Sequence, residues 1–170
     1  FIGIHFFSPV ERMGLVEIIM GKETSQETLA KTIDYVLKIR KTPIVVNDSR
    51  GFYTSRCFGT YTQEGLEMLS EGIKPAIIEN VGRQAGMPMG PLEVSDSVGL
   101  DTALKVGRAT AKAVGFDYNE APLGRMMAWI VEDKGRVGRK AGKGFYDYNE
   151  QGKPDRIWPD LNEQIEVKID

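Results

Sequence analysis

Two apolar runs near the start of the chain decide the fold: Phe1-Ile2-Gly3-Ile4-His5-Phe6-Phe7 and Leu15-Val16-Glu17-Ile18-Ile19-Met20. Neither run alternates apolar with polar residues, which predicts two strands buried on both faces of a sheet. Residues 8–14, which separate the runs, are polar and contain a proline and a glycine, as is typical of a turn.

A hairpin centred on Glu11 would place His5 directly opposite Glu17, since cross-strand partners lie about 5 Å apart on one face of a sheet. A buried, unpaired carboxylate costs on the order of several kcal/mol, so we expect the two side chains to be hydrogen-bonded. An imidazole held in one tautomer by a carboxylate is suited to act as a general base. A lone histidine in a strand is more often a core residue with satisfied hydrogen bonds, so both interpretations stay open at this point.

Composition excludes several classes of function. The 170 residues include 22 Lys and Arg against 24 Asp and Glu, and a net charge of −2 predicts no attraction to nucleic acid or membranes. His5 is the only histidine and Cys57 the only cysteine, so neither a disulfide framework nor a zinc site is expected. No run of about 18 apolar residues that could span a membrane is present. These features predict a reducing, aqueous compartment, most simply the cytoplasm.

The chain changes character near residue 48. Before it, a capping-box pattern at Thr24-Ser25-Gln26-Glu27 predicts a helix start, and Ile44-Val45-Val46 predicts a short buried strand. After it, strand signals almost vanish and residues of about 50–135 are predicted to be helical. The predicted helices run from about Phe52 to Ser70, from Pro75 to Gly86, from an Asp101 cap to Gly115 and from Pro122 to near Gly135, with an irregular connection over 87–91.

Residues 135–144 form a basic loop rich in glycine, which precedes the aromatic stretch Phe145-Tyr146-Asp147-Tyr148. Solvated basic turns are common, and an anion site built from backbone N–H groups and lysine is the functional alternative. The 170 residues contain neither a Walker A loop nor a Gly-x-Gly-x-x-Gly dinucleotide fingerprint between a strand and a helix. Beyond the aromatic stretch the tail is polar and charged, and Trp158 and Pro159 are candidates for the points at which it docks.

Five separated motifs occur in one order, and together they closely resemble the 3-hydroxyacyl-CoA dehydrogenase family, especially the dehydrogenase part of bacterial multifunctional fatty-acid oxidation proteins. The motifs are His5-Phe6-Phe7-Ser8-Pro9-Val10, Leu15-Val16-Glu17-Ile18, Arg50-Gly51-Phe52, Gly86-Met87-Pro88-Met89-Gly90-Pro91 and Gly142-Lys143-Gly144-Phe145-Tyr146. The resemblance covers about residues 1–148.

The resemblance implies a mostly α fold with a small α/β remnant, namely the edge of a Rossmann-type sheet followed by an all-helical C-terminal dimerisation domain. It implies three segments: residues 1–48 as the C-terminal end of the NAD-binding domain, 49–148 as the helical domain, and 149–170 as a tail leading to a further domain. Because the chain opens in mid-strand at Phe1, we expect a fragment whose missing dinucleotide-binding half lies upstream.

The same resemblance implies roles for individual residues. His5 corresponds to the catalytic histidine of the family and Glu17 to its partner glutamate, with NAD as the cofactor and 3-hydroxyacyl-CoA as the substrate. Lys140 corresponds to a loop lysine that approaches NAD. Ser8 stands where relatives commonly carry an asparagine near nicotinamide and thioester, and Ser55 where they carry one that contacts substrate. Serine is shorter than asparagine and lacks the amide fork, so the substrate class is less well defined than the reaction.

Three functions compete at this stage. The resemblance implies an NAD-dependent oxidoreductase of fatty-acid β-oxidation that forms a homodimer through the helical domain and has a thiolase subunit as a partner in a multienzyme complex. The isolated chain is expected to be inactive. The alternatives are a non-catalytic oligomerisation and scaffolding module, and a helical adaptor that binds protein partners.

Overall fold

The computed structural model describes residues 1–163 and residue 165. The chain divides into two compact units, Phe1–Gly59 and Thr60–Asp170, each with its own contacts. Each unit is described separately below.

The first unit is a three-stranded sheet with one helix. Its strands are β1 (Gly3–Phe6), β2 (Leu15–Met20) and β3 (Thr42–Asn47), arranged in the order β1-β2-β3. The β1–β2 pair is antiparallel and pairs His5 with Glu17, which confirms the predicted hairpin and its register. The β2–β3 pair is parallel, and helix α1 (Gln26–Lys38) connects its two strands.

Burial in the sheet follows strand position. The central strand β2 is buried over Val16–Ile19, as predicted. The outer strands are only partly buried, and Val45 of β3 is 49% exposed, so the prediction of fully buried strands was wrong for β1 and β3. The reason is that each outer strand is paired on one side only among the described residues.

Helix α1 begins close to the predicted position, but with a different cap. The capping-box pattern implied Thr24 as the N-cap residue, whereas Ser25 is the N-cap and its Oγ accepts a hydrogen bond from the N–H of Thr28 at 3.2 Å. Thr24 instead fixes the preceding turn, because its Oγ1 accepts from the N–H of Gly21 and donates to the carbonyl of Phe1.

The second unit is mainly helical and is entered through α2 (Thr54–Ser70), whose first residues belong to the first unit. The helices that follow are α3 (Pro75–Gln84), α4 (Pro91–Val98), α5 (Leu100–Val114) and α6 (Pro122–Ala128), and α6 continues as a π-helical turn over Trp129–Asp133. A short antiparallel pair, β4 (Tyr146–Tyr148) and β5 (Pro154–Ile157), completes the named elements. The helical region over about 50–135 is therefore confirmed.

Two parts of this unit differ from the sequence prediction. Helix α4 was missed because the prolines at 88 and 91 indicated an irregular connection, whereas Pro91 is the first residue of α4, where its missing N–H costs no hydrogen bond. Asp101 does not cap α5: the N-cap is Gly99, with φ of +106°, and Asp101 lies inside the first turn.

The segment after Tyr148 contributes to the core of the second unit. Strand β5 pairs with β4, and the Trp158 ring is 7% exposed, stacked on Trp129 with 5.2 Å between ring centroids. Trp158 therefore docks the segment after Tyr148 onto the core of its own unit, whereas Pro159 is exposed.

Candidate active site

The candidate site is centred on His5 in β1 and Glu17 in β2. The Nδ1 atom of His5 lies 2.7 Å from Oε2 of Glu17, which confirms the predicted hydrogen bond. The Glu17 side chain is fully buried, whereas 34% of the His5 side chain is exposed. A buried carboxylate thus holds one edge of an imidazole whose other edge can be reached from outside.

The other oxygen of Glu17 is held by the start of helix α2. Oε1 accepts hydrogen bonds from the backbone N–H of Tyr53 at 3.1 Å and of Thr54 at 2.8 Å. These N–H groups face Glu17 because the chain turns through Gly51 and Phe52, with φ of +76° and +47°. Sequence reasoning missed both donors: Arg50-Gly51-Phe52 was identified as a family motif, and Phe52 was predicted to begin the helix that starts at Thr54.

These contacts determine the ionisation state of Glu17. Burial alone would raise the pKa of this carboxyl, but the hydrogen bonds from the Thr54 backbone, His5 and the Tyr53 backbone outweigh it, and the pKa is lowered. The ionised carboxylate can only accept hydrogen bonds, so Nδ1 of His5 must carry the proton that it shares with Oε2. The Nε2 lone pair is then left to accept a proton from another molecule.

Two aromatic rings flank the imidazole. The ring centroid of His5 lies 4.6 Å from that of Phe7 and 5.7 Å from that of Phe52, and both contacts are tilted by about 50°. Phe7 follows β1 directly, and Phe52 belongs to the left-handed turn before α2. These contacts leave the imidazole little freedom to rotate away from Glu17.

Ser8 and Ser55, the two serines predicted to bind substrate or cofactor, both lie exposed in the first unit. Ser55 occupies the first turn of α2, next to the Thr54 amide that binds Glu17. Ser8 begins the connection between β1 and β2. Within the described residues, no hydrogen bond joins either serine to His5 or Glu17, whose partners are each other and the α2 amides.

Lys140 lies in the second unit, in the basic loop, and is exposed. Its Nζ donates to both carboxylate oxygens of Asp101, at 2.8 Å and 3.0 Å. Two further cations of the loop region also have carboxylate partners, Arg136 with Asp147 and Arg139 with Glu93. An anion at this loop would therefore have to compete with carboxylates for the cations.

Two glycines of this loop, Gly138 and Gly144, pack closely against Asp96. An added Cβ at Gly144 would overlap the Asp96 carboxylate, and one at Gly138 would lie 2.5 Å from the Asp96 carbonyl oxygen. The buried Asp96 carboxylate accepts from the N–H groups of Phe145 and Tyr146 and from the Tyr148 hydroxyl. Burial raises the pKa of Asp96 to about 6. All these partners belong to its own unit, so its role is structural.

Glu79 is a second buried carboxylate that sequence reasoning missed. It accepts from the N–H groups of Leu92 and Glu93 at the start of α4 and from the Tyr146 hydroxyl at 2.9 Å. Gly90 of the Gly-Met-Pro-Met-Gly-Pro motif packs directly against it, since an added Cβ would overlap the carboxyl group of Glu79. This motif therefore allows α3 to pack closely against the start of α4.

In the described part of the chain, no helix is long and apolar enough to cross a bilayer. The histidine, cysteine and carboxylate side chains of that part nowhere gather in a group of three or more that could hold a metal ion.

Comparisons with known proteins identify the family of this chain. The family model for the 3-hydroxyacyl-CoA dehydrogenase C-terminal domain matches residues 51–148, and the model for the NAD binding domain of the same family matches residues 1–49. The chain belongs to the 3-hydroxyacyl-CoA dehydrogenase family.

Solved structures of 3-hydroxyacyl-CoA dehydrogenases have the same fold. The (S)-3-hydroxybutyryl-CoA dehydrogenase of Ralstonia eutropha is 35% identical, with a TM-score of 0.74 over 88% of this chain and 52% of its own. The 3-hydroxybutyryl-CoA dehydrogenase of Escherichia coli K12 is 30% identical, with a TM-score of 0.74 over 92% of this chain and 33% of its own. The dehydrogenase part of multifunctional enzyme 1 from C. elegans is 26% identical, with a TM-score of 0.66 over 99% of this chain and 38% of its own.

The chain thus spans about half of the first relative and a third of the second. The fold class predicted from the sequence is confirmed: a small sheet matching part of the NAD binding domain precedes the helical C-terminal domain. NAD is the cofactor of this family. The chemistry of the His5–Glu17 pair fits a dehydrogenase, which needs a group that accepts a hydroxyl proton.

Proposed function

We propose that this chain carries the proton-transfer residues of an NAD-dependent 3-hydroxyacyl-CoA dehydrogenase that converts 3-hydroxyacyl-CoA to 3-oxoacyl-CoA in fatty-acid β-oxidation. The single observation that supports this most strongly is the 2.7 Å hydrogen bond between His5 and Glu17, with the carboxylate buried and the imidazole partly exposed.

In the proposed reaction Nε2 of His5 accepts the proton of the substrate 3-hydroxyl group. The imidazolium that forms is stabilised by the ionised Glu17, which keeps Nδ1–H oriented throughout. Bound NAD supplies the hydride acceptor. The flanking rings of Phe7 and Phe52 keep the imidazole in a fixed orientation while it gains and loses the proton.

The remaining roles belong to the same proposal. Ser8 contacts the cofactor and the thioester, Ser55 contacts the substrate, and Lys140 exchanges its Asp101 partner for a cofactor phosphate. The domain limits are 1–48 for the NAD-binding part, 49–148 for the helical part and 149–170 for a segment leading onward. The helical domain forms a homodimer with an interface above about 1,000 Å².

The cellular setting is proposed from the family resemblance. The protein acts in the cytoplasm as part of a bacterial multifunctional fatty-acid oxidation protein, with a thiolase subunit as its partner. Because the 170 residues contain no glycine fingerprint for the dinucleotide phosphates, the chain alone is proposed to be inactive.

The test compares the 170-residue chain with a longer form that includes a dinucleotide-binding glycine turn. The longer form should bind NAD and oxidise 3-hydroxybutyryl-CoA, whereas the chain alone should do neither. In the longer form, His5→Ala should lower kcat at least about 100-fold with little change in CoA affinity. Lys22→Ala, which changes an exposed residue beyond the end of β2, is the matched control and should leave kcat unchanged. A longer form that binds no NAD would favour the scaffolding alternative.

A further inference from the structure

Hydrogen bonds join the acid–base pair to the backbone at the start of α2, through the N–H groups of Tyr53 and Thr54. Glu17 has two carboxylate oxygens with different partners: Oε2 faces Nδ1 of His5, and Oε1 faces the N–H groups of Tyr53 and Thr54. Both amide groups can only donate. The two donors on Oε1 therefore fix the orientation of the carboxylate, and Oε2 is left to bind the imidazole.

The backbone that leads to these two N–H groups has an unusual conformation. Phe52 has φ of +47°, a left-handed conformation that a non-glycine residue keeps only where the surrounding structure enforces it. Three other helices of the chain begin with proline, at Pro75, Pro91 and Pro122. Helix α2 begins with Thr54, whose N–H is engaged by Glu17 at 2.8 Å.

We infer that the left-handed turn Gly51–Phe52 and the N–H groups of Tyr53 and Thr54 are positioning groups, which hold Oε1 of Glu17 so that Oε2 stays in place to accept from Nδ1–H of His5. The inference deepens the proposed function and rests on it for its catalytic meaning. The amides act through Glu17. They orient an acceptor toward His5 and so leave Nε2 as the proton acceptor.

The first test uses Glu17→Gln in the 170-residue chain, with the ¹⁵N shifts of the single imidazole as the readout. If the α2 amides fix the orientation, the carboxamide oxygen of the variant side chain must face them and its NH₂ must face His5. Nδ1 then has to accept, and the proton moves to Nε2. The inference therefore expects the tautomer to invert from Nδ1–H to Nε2–H. Retention of Nδ1–H would mean that the carboxamide oxygen still faces His5, and would overturn the inference.

The second test removes one amide without removing the helix. In Thr54→Pro the residue is at the first helical position, where proline is well tolerated, but the 2.8 Å bond to Glu17 is lost. The ¹³C titration midpoint of the Glu17 carboxyl should rise by about one pH unit, since a hydrogen bond to a charged group is lost. Gln26→Pro, the same change at the first position of α1, is the matched control and should leave the midpoint unchanged. An unchanged midpoint in Thr54→Pro as well would overturn the role of this amide.

The same variants separate this inference from the proposed function. The NMR readouts require neither NAD nor substrate, so a tautomer that does not invert refutes the positioning role alone. In the longer form with the glycine turn, Thr54→Pro should lower kcat more than it changes KM. Inversion of the tautomer in Glu17→Gln, combined with a longer form that lacks dehydrogenase activity with its native Glu17, would support the positioning role and refute the proposed function.

Discussion

Gly65 in α2 lies directly against Pro91, the first residue of α4: a Cβ added to Gly65 would stand 2.5 Å from the Pro91 Cγ. The close contact between these helices therefore requires a residue without a Cβ atom at position 65. Gly65→Ala should lower the free energy of unfolding of the helical unit by about 1–3 kcal/mol, because the backbone must shift to admit a methyl group. Chemical denaturation measures this.

Gly59 provides the matched control within the same helix. An added Cβ there meets no atom of the described residues within 4 Å. Gly59→Ala should raise stability by up to about 1 kcal/mol, since alanine loses less backbone entropy in a helix. Equal effects at both positions would show that the contact with Pro91 carries no cost.

Glu17 should make the first unit sensitive to acid. Its pKa in the folded chain is lowered from the ordinary value of 4.5. The stabilisation that it contributes is therefore present above pH 4.5 and is lost as the pH falls through the lower, folded pKa. Unfolding measured from about pH 7 downward should show a loss of stability in the wild-type chain that Glu17→Gln lacks. Parallel curves for the two proteins would contradict this assignment.

Lys41 should hold the connection that carries Ser8. Its Nζ donates to the carbonyls of Val10 at 2.6 Å and Met13 at 2.7 Å. Lys41→Met removes both bonds and should speed hydrogen exchange at the amides of residues 12 and 13, with unchanged exchange in β2. Lys38→Met, an exposed change at the end of α1, is the control. Unaltered exchange in the Lys41 variant would show that the connection is held by its own backbone.

Residues beyond the family match at 148 should be required for the stability of the helical unit. Three core side chains lie there, Trp158, Leu161 and Ile165, each at most 7% exposed. A chain ending at Tyr148 should lose at least about 3 kcal/mol of unfolding free energy, the usual cost of deleting one buried tryptophan side chain. An unfolding free energy equal to that of the full chain would contradict this requirement.

The sequence was sufficient to predict the sheet register and the acid–base pair, because strand pairing about a short turn is set by residue count and a buried Glu17 requires a partner. It was not sufficient to predict that the N–H groups of Tyr53 and Thr54 donate to Glu17. A backbone N–H has no sequence signature, and nothing in Phe52 as a residue type indicates a left-handed conformation. The register confirmed the pairing of His5 with Glu17, while their catalytic roles remain a proposal.

Helix α4 and the β4–β5 pair were missed for a different reason. Proline at 91 was interpreted as a breaker, although it is equally suited to the first position of a helix. The polar sequence of β5 carries little strand signal. It is a strand because it pairs with β4, and no local pattern in its own residues shows that pairing.

The Asp96 carboxylate has a consequence for the order of folding. It joins α4 to the backbone N–H groups of Phe145 and Tyr146, 49 and 50 residues later. Closing a flexible loop of that length costs about 3–4 kcal/mol of chain entropy, and this cost is met before the contact forms. Helices α5 and α6 shorten the effective loop once they are in place. Refolding followed residue by residue should therefore show these helices protected first and the Phe145–Tyr146 amides protected last.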